Sequence, residues 1–129
     1  MEEKSGKALD DVWTLEAMAF VARALSHPLR IAILEVLGEE GSYVMDLVVA
    51  LGRPQANVSQ HLMVLREAGL VIPEREGTAV RYRVSDKQVL ALLAFLRDVT
   101  QQLPQPEDVE DQRPLRPWGR RFRRRRGRW

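Results

Sequence analysis

GRPQANVSQHLMVLREAGL, residues 52–70, decides how the rest of the chain is read. Pro54 has a fixed φ and no N–H, so it suits the first turn of a helix. Val58, Leu62 and Leu65 follow at spacings of four and three, which stacks them on one side of that helix. Gly69 supplies a stop, so the pattern predicts a helix over 54–68. On its other side the first two turns carry Gln55, Ala56, Asn57, Ser59 and Gln60, and the first charge is Arg66. Amides and hydroxyls both donate and accept hydrogen bonds. A helix with such a face can enter a DNA major groove, where carboxylates would repel phosphate and amides read base edges in pairs. The plain alternative is an ordinary solvated face, although such faces usually carry Glu and Lys.

A length of 129 residues points to one domain, here expected over 1–103, with a tail over 104–129. The chain has no Cys, which excludes disulfides, thiolate metal sites and thiol redox switches. Its two histidines, His27 and His61, are too few for a dedicated transition-metal site. The start, MEEKSGKALDD, is polar and acidic, unlike a signal peptide, and no apolar run approaches the ~18 residues of a membrane span. A cytoplasmic protein is expected. The net charge of +2 is unevenly divided: residues 1–103 hold 11 Lys+Arg and 14 Asp+Glu, residues 104–129 hold 9 Arg and 4 acids. The high pI therefore belongs to the tail and says nothing of the domain.

Residues 1–9 are expected to fray. From about Asp10 to Leu25, Val12, Leu15, Ala19 and Ala22 recur at helical spacing, with Met18, Val21 and Leu25 beside them. Pro28 opens a second helix over about 28–38, with Ile31, Ile33, Leu34 and Leu37 apolar and His27 as its starting residue. Arg30 is expected to tie helices together by ion pairs. A short third helix, about Val44 to Leu51, turns at Gly52 into the stretch quoted above. Two helices joined by a tight glycine turn, the second polar at its start, form a helix-turn-helix pattern.

After Gly69 the period becomes alternating. Leu70, Ile72 and Glu74 oppose Val71 and Pro73, and Val80, Tyr82 and Val84 alternate with Ala79, Arg81 and Arg83. Arg75-Glu76-Gly77-Thr78 carries the turn signal, so residues 70–84 form a two-stranded hairpin with Tyr82 inward. A hairpin directly after such a helix is a wing. Arg81 and Arg83 lie where a wing meets the phosphate backbone or minor groove, unless they only solubilise an edge strand. Ser85-Asp86-Lys87-Gln88 fits a capping box opening a last helix. That helix carries Val89, Leu92, Leu93, Leu96 and Val99 in one stripe, widened by Leu90, Ala94 and Phe95. Both terminal helices are more apolar than one small core needs, so they are expected to form a homodimer interface.

With these motifs in place, residues 25–86, LSHPLRIAILEVLGEEGSYVMDLVVALGRPQANVSQHLMVLREAGLVIPEREGTAVRYRVSD, resemble the ArsR/SmtB-type winged-helix repressors. The likeness extends over roughly 12–100. It implies a mostly α fold with a small β-hairpin, a dimer built from the first and last helices, and operator binding through helix 54–68 and the wing. It also implies repression that an inducer releases. The inducer chemistry departs from the family. Tyr43 and Met45 occupy the positions of a Cys-x-Cys metal motif, and on the last helix Asp86 matches a ligand but Gln88 stands where a His is needed. No metal or other cofactor is expected.

The expected function is therefore a dimeric, sequence-specific regulator of transcription on double-stranded DNA, acting as a repressor. Its candidate contacts are Gln55, Asn57, Ser59, Gln60, His61, Arg66, Arg75, Thr78, Arg81 and Arg83. His61 lies between the groove face and the core face, and reads equally as a DNA contact or as a half-buried packing residue. The competing function is a nucleoid-associated or protein-interaction winged helix with weak sequence choice. An enzyme is not expected, since Ser59 and His61 lie on different helix faces and no Gly-rich phosphate loop appears. Regulation could come from a small apolar ligand between the dimer helices, from a partner protein or from protein concentration alone. The tail, acidic over 107–111 and then RPLRPWGRRFRRRRGRW, has no core-forming period and is expected to be disordered. Its arginines and aromatics suit general DNA affinity, single-stranded nucleic acid or an anionic membrane, or are simply solvated.

Overall fold

Ile33, Leu34, Leu47, Val58 and Leu65 are fully shielded from solvent, and they come from three helices that meet at one point. The computed structural model describes residues 12–104. Its elements in chain order are α1 (Val12–Ala24), α2 (Pro28–Leu37), β1 (Ser42–Tyr43), α3 (Val44–Leu51) and α4 (Gln55–Glu67), then β2 (Val71–Glu76), β3 (Ala79–Val84) and α5 (Lys87–Gln102). The start expected to fray and all but the first residue of the expected tail lie outside the described residues.

Pro28 opens α2, and the His27 ring nitrogen Nδ1 accepts a hydrogen bond from the Leu29 N–H at 3.1 Å. α2 buries Leu29, Ala32, Ile33, Leu34 and Leu37, a broader face than spacing suggested, with Ile31 only half-buried at its margin. α3 adds Leu47 and Leu51, and α4 adds Val58, Leu62 and Leu65. Each such side chain stabilises by about 1.5–3 kcal/mol when taken from water, so the three stripes bind α2, α3 and α4 into one unit. Between α3 and α4 the chain must reverse within three residues. Gly52 does this with φ +61°, a left-handed conformation in which its N–H reaches the Val48 carbonyl at 2.9 Å. Pro54 caps α4 instead of lying within its first turn, and its carbonyl accepts from the Asn57 and Val58 N–H groups at 3.1 Å.

The sheet is larger than the expected hairpin. β1 joins it, in the order β1-β3-β2, all antiparallel. Two residues are too few to show an alternating pattern, which is why Ser42–Tyr43 gave no sequence signal. What admits them is Gly41, at φ +79°: a Cβ there would lie 2.5 Å from the Tyr82 carbonyl oxygen and 3.0 Å from the Arg83 Cβ. The hairpin turn is also tighter than expected. Arg75 and Glu76 stay in β2, and only Gly77-Thr78 connects the strands, an arrangement that follows their twist and lets the ladder close as far as Glu76↔Ala79. Pro73 is tolerated because β2 is an edge strand. Tyr82 packs partly against the core as its alternation suggested.

The expected capping box at α5 is not what forms. Ser85 remains part of the hairpin exit, donating its hydroxyl to the Gly69 carbonyl at 2.6 Å, and Asp86 is the cap, accepting from the Gln88 N–H at 2.8 Å. Arg30 ties helices, but through carbonyls and not the expected ion pairs. Its Nε donates to Ala24 O at 2.6 Å and its Nη2 to Arg23 O at 3.1 Å, satisfying the end of α1. Its Nη1 lies 3.3 Å from Nδ1 of His61 on α4, and the His61 and His27 rings stand 4.4 Å apart between centroids. Burial, then the neighbouring His27 and the Arg30 charge, hold His61 below the usual histidine pKa, while burial and Arg30 do the same for His27.

Only the end of α1 meets the core, through Val21 and the buried Ala24, whereas Leu15, Met18, Ala19 and Phe20 are exposed. α5 buries Val89 and Leu93 and is joined to α2 by an ion pair between Arg97 and Glu35. Among the described residues no single helix is long and apolar enough to cross a membrane.

Two stability measurements follow from this packing. Gly41→Ala is expected to lower unfolding free energy by about 2–4 kcal/mol, read as a fall in the urea midpoint, because it adds a Cβ to a backbone contact at positive φ. The two histidines bind protons less readily folded than unfolded, so their contribution is complete above the ordinary histidine value of about 6.5 and is lost as the pH falls from there. Urea midpoints between pH 7.5 and 5 should decline, and His61→Gln should flatten that decline.

Candidate nucleic-acid interface

The roll of α4 about its axis is set by Val58, Leu62 and Leu65 pointing into the core. Gln55, Ala56, Asn57, Ser59 and Gln60 are consequently exposed, together with Met63 and Arg66. None of the Gln55, Asn57, Ser59 or Gln60 side chains takes part in a hydrogen bond among the described residues. Their donors and acceptors are free for a ligand, and no acidic residue stands in the first turn. The helix dipole adds positive potential at the same end. Arg66 lies in the last turn, where its charge also suits the negative end of the dipole.

His61 is placed apart from this group. It is half-buried against Arg30 and His27, so its ring links α4 to the junction of α1 and α2.

The wing divides its charges between two faces. Cross-strand partners share a face, so Ile72, Glu74, Glu76, Ala79, Arg81 and Arg83 lie on one side, and Val71, Pro73, Arg75, Val80, Tyr82 and Val84 on the other. Arg81 and Arg83 are not free cations. Arg83 Nε donates to Glu74 Oε1 at 2.5 Å. Arg81 stands 3.7 Å from Glu76, donates to the Glu40 carbonyl at 3.0 Å and lies over the Tyr43 ring at 5.5 Å from its centre. The Tyr43 hydroxyl in turn donates to Glu76 at 2.5 Å, and that hydrogen bond, with partial desolvation, raises its pKa. Arg75 and Thr78 are exposed at the tip, and Arg75 makes no ion pair among the described residues.

Two features escaped the sequence reading. Arg53, half-buried in the turn before α4, makes no ion pair among the described residues and flanks the polar face; its place directly before Pro54 was the available signal. The neutralisation of Arg81 and Arg83 depends on cross-strand register, which the sequence encodes only once the turn length is known. Among the described residues no group of three or more His, Cys, Asp or Glu side chains converges on a point.

A family described as a helix-turn-helix domain matches residues 25–74. The HTH-type transcriptional repressor SmtB of Mycobacterium tuberculosis is 49% identical over 72 residues, which cover 56% of this chain and 53% of that protein. The chain thus spans about half the length of that relative. The M. tuberculosis transcriptional regulator Rv0081 is 38% identical over 91 residues, covering 70% of this chain and 78% of the regulator. Its crystal structure superposes with a TM-score of 0.62, covering 70% of this chain and 90% of that one. The homodimeric winged helix-turn-helix DNA-binding domain of Mb0332 from Mycobacterium bovis superposes with a TM-score of 0.67 at 28% identity, covering 80% and 94%. SmtB and Rv0081 carry the names of transcriptional regulators, and the Rv0081 and Mb0332 structures share this fold. The chain belongs to the ArsR/SmtB-type family of winged helix-turn-helix transcriptional regulators.

Proposed function

We propose that the protein is a homodimeric, sequence-specific DNA-binding regulator, acting as a repressor in the cytoplasm. In this reading α4 enters the major groove, and the wing, through Arg75 and Thr78 at its tip, meets the backbone or minor groove. The observation that carries it is the exposed, uncharged and unengaged set Gln55, Asn57, Ser59 and Gln60 on a helix whose roll is fixed by its core contacts. Arg66 and Arg53 flank that set as phosphate contacts. Arg81 and Arg83, paired with Glu76 and Glu74, add little phosphate attraction of their own, and His61 acts by seating α4. The names of relatives, a repressor in SmtB and a homodimeric DNA-binding domain in Mb0332, support the same reading.

Dimerisation rests on apolar surface that one copy leaves in water. Trp13 is 72% exposed and Phe95 69%, with Leu15, Met18, Leu92 and Val99 also open. At about 25 cal/mol per Å², covering that surface with a second copy is strongly favourable. A two-fold pair would then offer two α4 helices to a near-palindromic site. A weakly selective DNA-coating role is disfavoured by the uncharged, unengaged face that runs from Gln55 to Gln60.

Sedimentation of the full chain is expected to give a dimer at micromolar concentration, and Phe95→Glu, on a surface the monomer leaves open, should give a folded monomer. A monomeric wild-type chain would overturn the dimer. In mobility shifts with random competitor DNA, the S59A and Q60A pair should reduce preference for the selected site. The loss should be about 1–3 kcal/mol per amide–base pairing removed, with little change in random-DNA binding. Retention of full preference would sink the assignment of α4.

A further inference from the structure

Met63 is a large apolar side chain, 60% exposed, on a helix face that is otherwise polar apart from Ala56. At about 100° per residue, Ala56, Gln60 and Met63 all lie within about 50° of the direction opposite the buried stripe of Val58, Leu62 and Leu65. They are the outermost side chains of the first turns of α4, with Asn57 and Ser59 on the flanks. The line that projects farthest from the core therefore runs methyl, amide, thioether. Glu67 continues it one turn further on, where phosphate would repel the carboxylate, so the part suited to a groove ends at Met63. The helix-surface neighbours of Met63 are Ser59, Gln60, Arg66 and Glu67, all polar and exposed. On α4 it thus belongs to no continuous apolar patch of the kind a protein partner covers.

Isolated apolar groups are what a major groove can match. Each base pair presents hydrogen-bond donors and acceptors there, and thymine adds its C5 methyl. We propose that Ala56 and Met63 are thymine-reading residues, packing on C5 methyl groups on either side of the base that Gln60 contacts. This rests on the DNA reading of α4 and names what that helix selects, a half-site with thymine at defined positions. Gln60 fits between them, because an amide pairs through two hydrogen bonds with adenine, the partner of thymine. From Ala56 to Met63 the helix rises about 10 Å, close to three base-pair steps of about 3.4 Å. The unbranched Met63 side chain has the freedom to settle on a methyl within that span. Covering one methyl is comparable to burying a CH2 group, roughly fourfold in affinity.

The test uses the full chain and a duplex selected from a randomised pool. Each thymine of one half-site is replaced in turn by deoxyuridine, which lacks only the C5 methyl, and dissociation constants are compared. One or two thymines, within about three base pairs of each other, should lose roughly three- to tenfold on replacement. Met63→Ala should weaken binding to the parent duplex by a similar factor and show no further loss at its own thymine, and Ala56→Gly should do the same at the other. Both positions are exposed, urea midpoints check that the variants fold, and the uridine duplexes leave the protein untouched. A selected half-site without thymine, or uridine duplexes all bound as tightly as the parent, overturns the inference while preference over a scrambled duplex keeps the reading of α4. Uridine losses that persist undiminished in both variants overturn the assignment of Ala56 and Met63. A chain that binds selected and scrambled duplexes alike, or neither, sinks the reading of α4 and this inference with it.

Discussion

The burial of Val58, Leu62 and Leu65 against α2 and α3 is the constraint on which the molecule depends. A helix held along one stripe cannot roll, so the residues opposite that stripe keep a fixed aspect. The polar groups of α4 need no hydrogen bonds of their own to be positioned; they inherit their orientation from three apolar neighbours on the same helix. Arg30 and the two histidines reinforce this seat from the α1 side, where the guanidinium closes the open carbonyls of one helix while touching the ring of another.

Charge is distributed on a different principle from shape. The wing's two inner arginines are neighbours of Glu74 and Glu76, and Tyr43 and Glu40 take further interactions. Exposed ion pairs of this kind contribute little stability each, about 0–1 kcal/mol. Their main effect here is on potential: they leave a hairpin of defined form with weak attraction for phosphate.

Much of this was legible in the sequence because it rests on local periodicity. α3 runs from Val44 to Leu51 as its pattern indicated, and the stripe of α4 is the one that spacing picks out. The surplus apolar residues of α1 and α5 were visible for the same reason. What the sequence concealed was set by tertiary contacts. β1 exists because Gly41 permits a close approach to β3, a contact over some forty residues that no pattern of two residues announces. The cap of α5 moved from Ser85 to Asp86 because the Gly69 carbonyl competes for the serine hydroxyl. For the candidate site, residue types on α4 were readable from spacing, whereas the pairing of Arg81 and Arg83 required the register that a two-residue turn imposes.

The small strand β1 has a mechanical effect. It stands directly before α3 and is hydrogen-bonded to β3, so the first helix of the helix-turn-helix and the hairpin are stitched together at Ser42↔Tyr82 and Tyr43↔Arg81. In the proposed DNA complex, α4 and the wing would therefore travel as one rigid reading head. A signal that released such a protein from its site would have little to bend inside a subunit, and would act instead by changing the distance or tilt between the two heads of a pair.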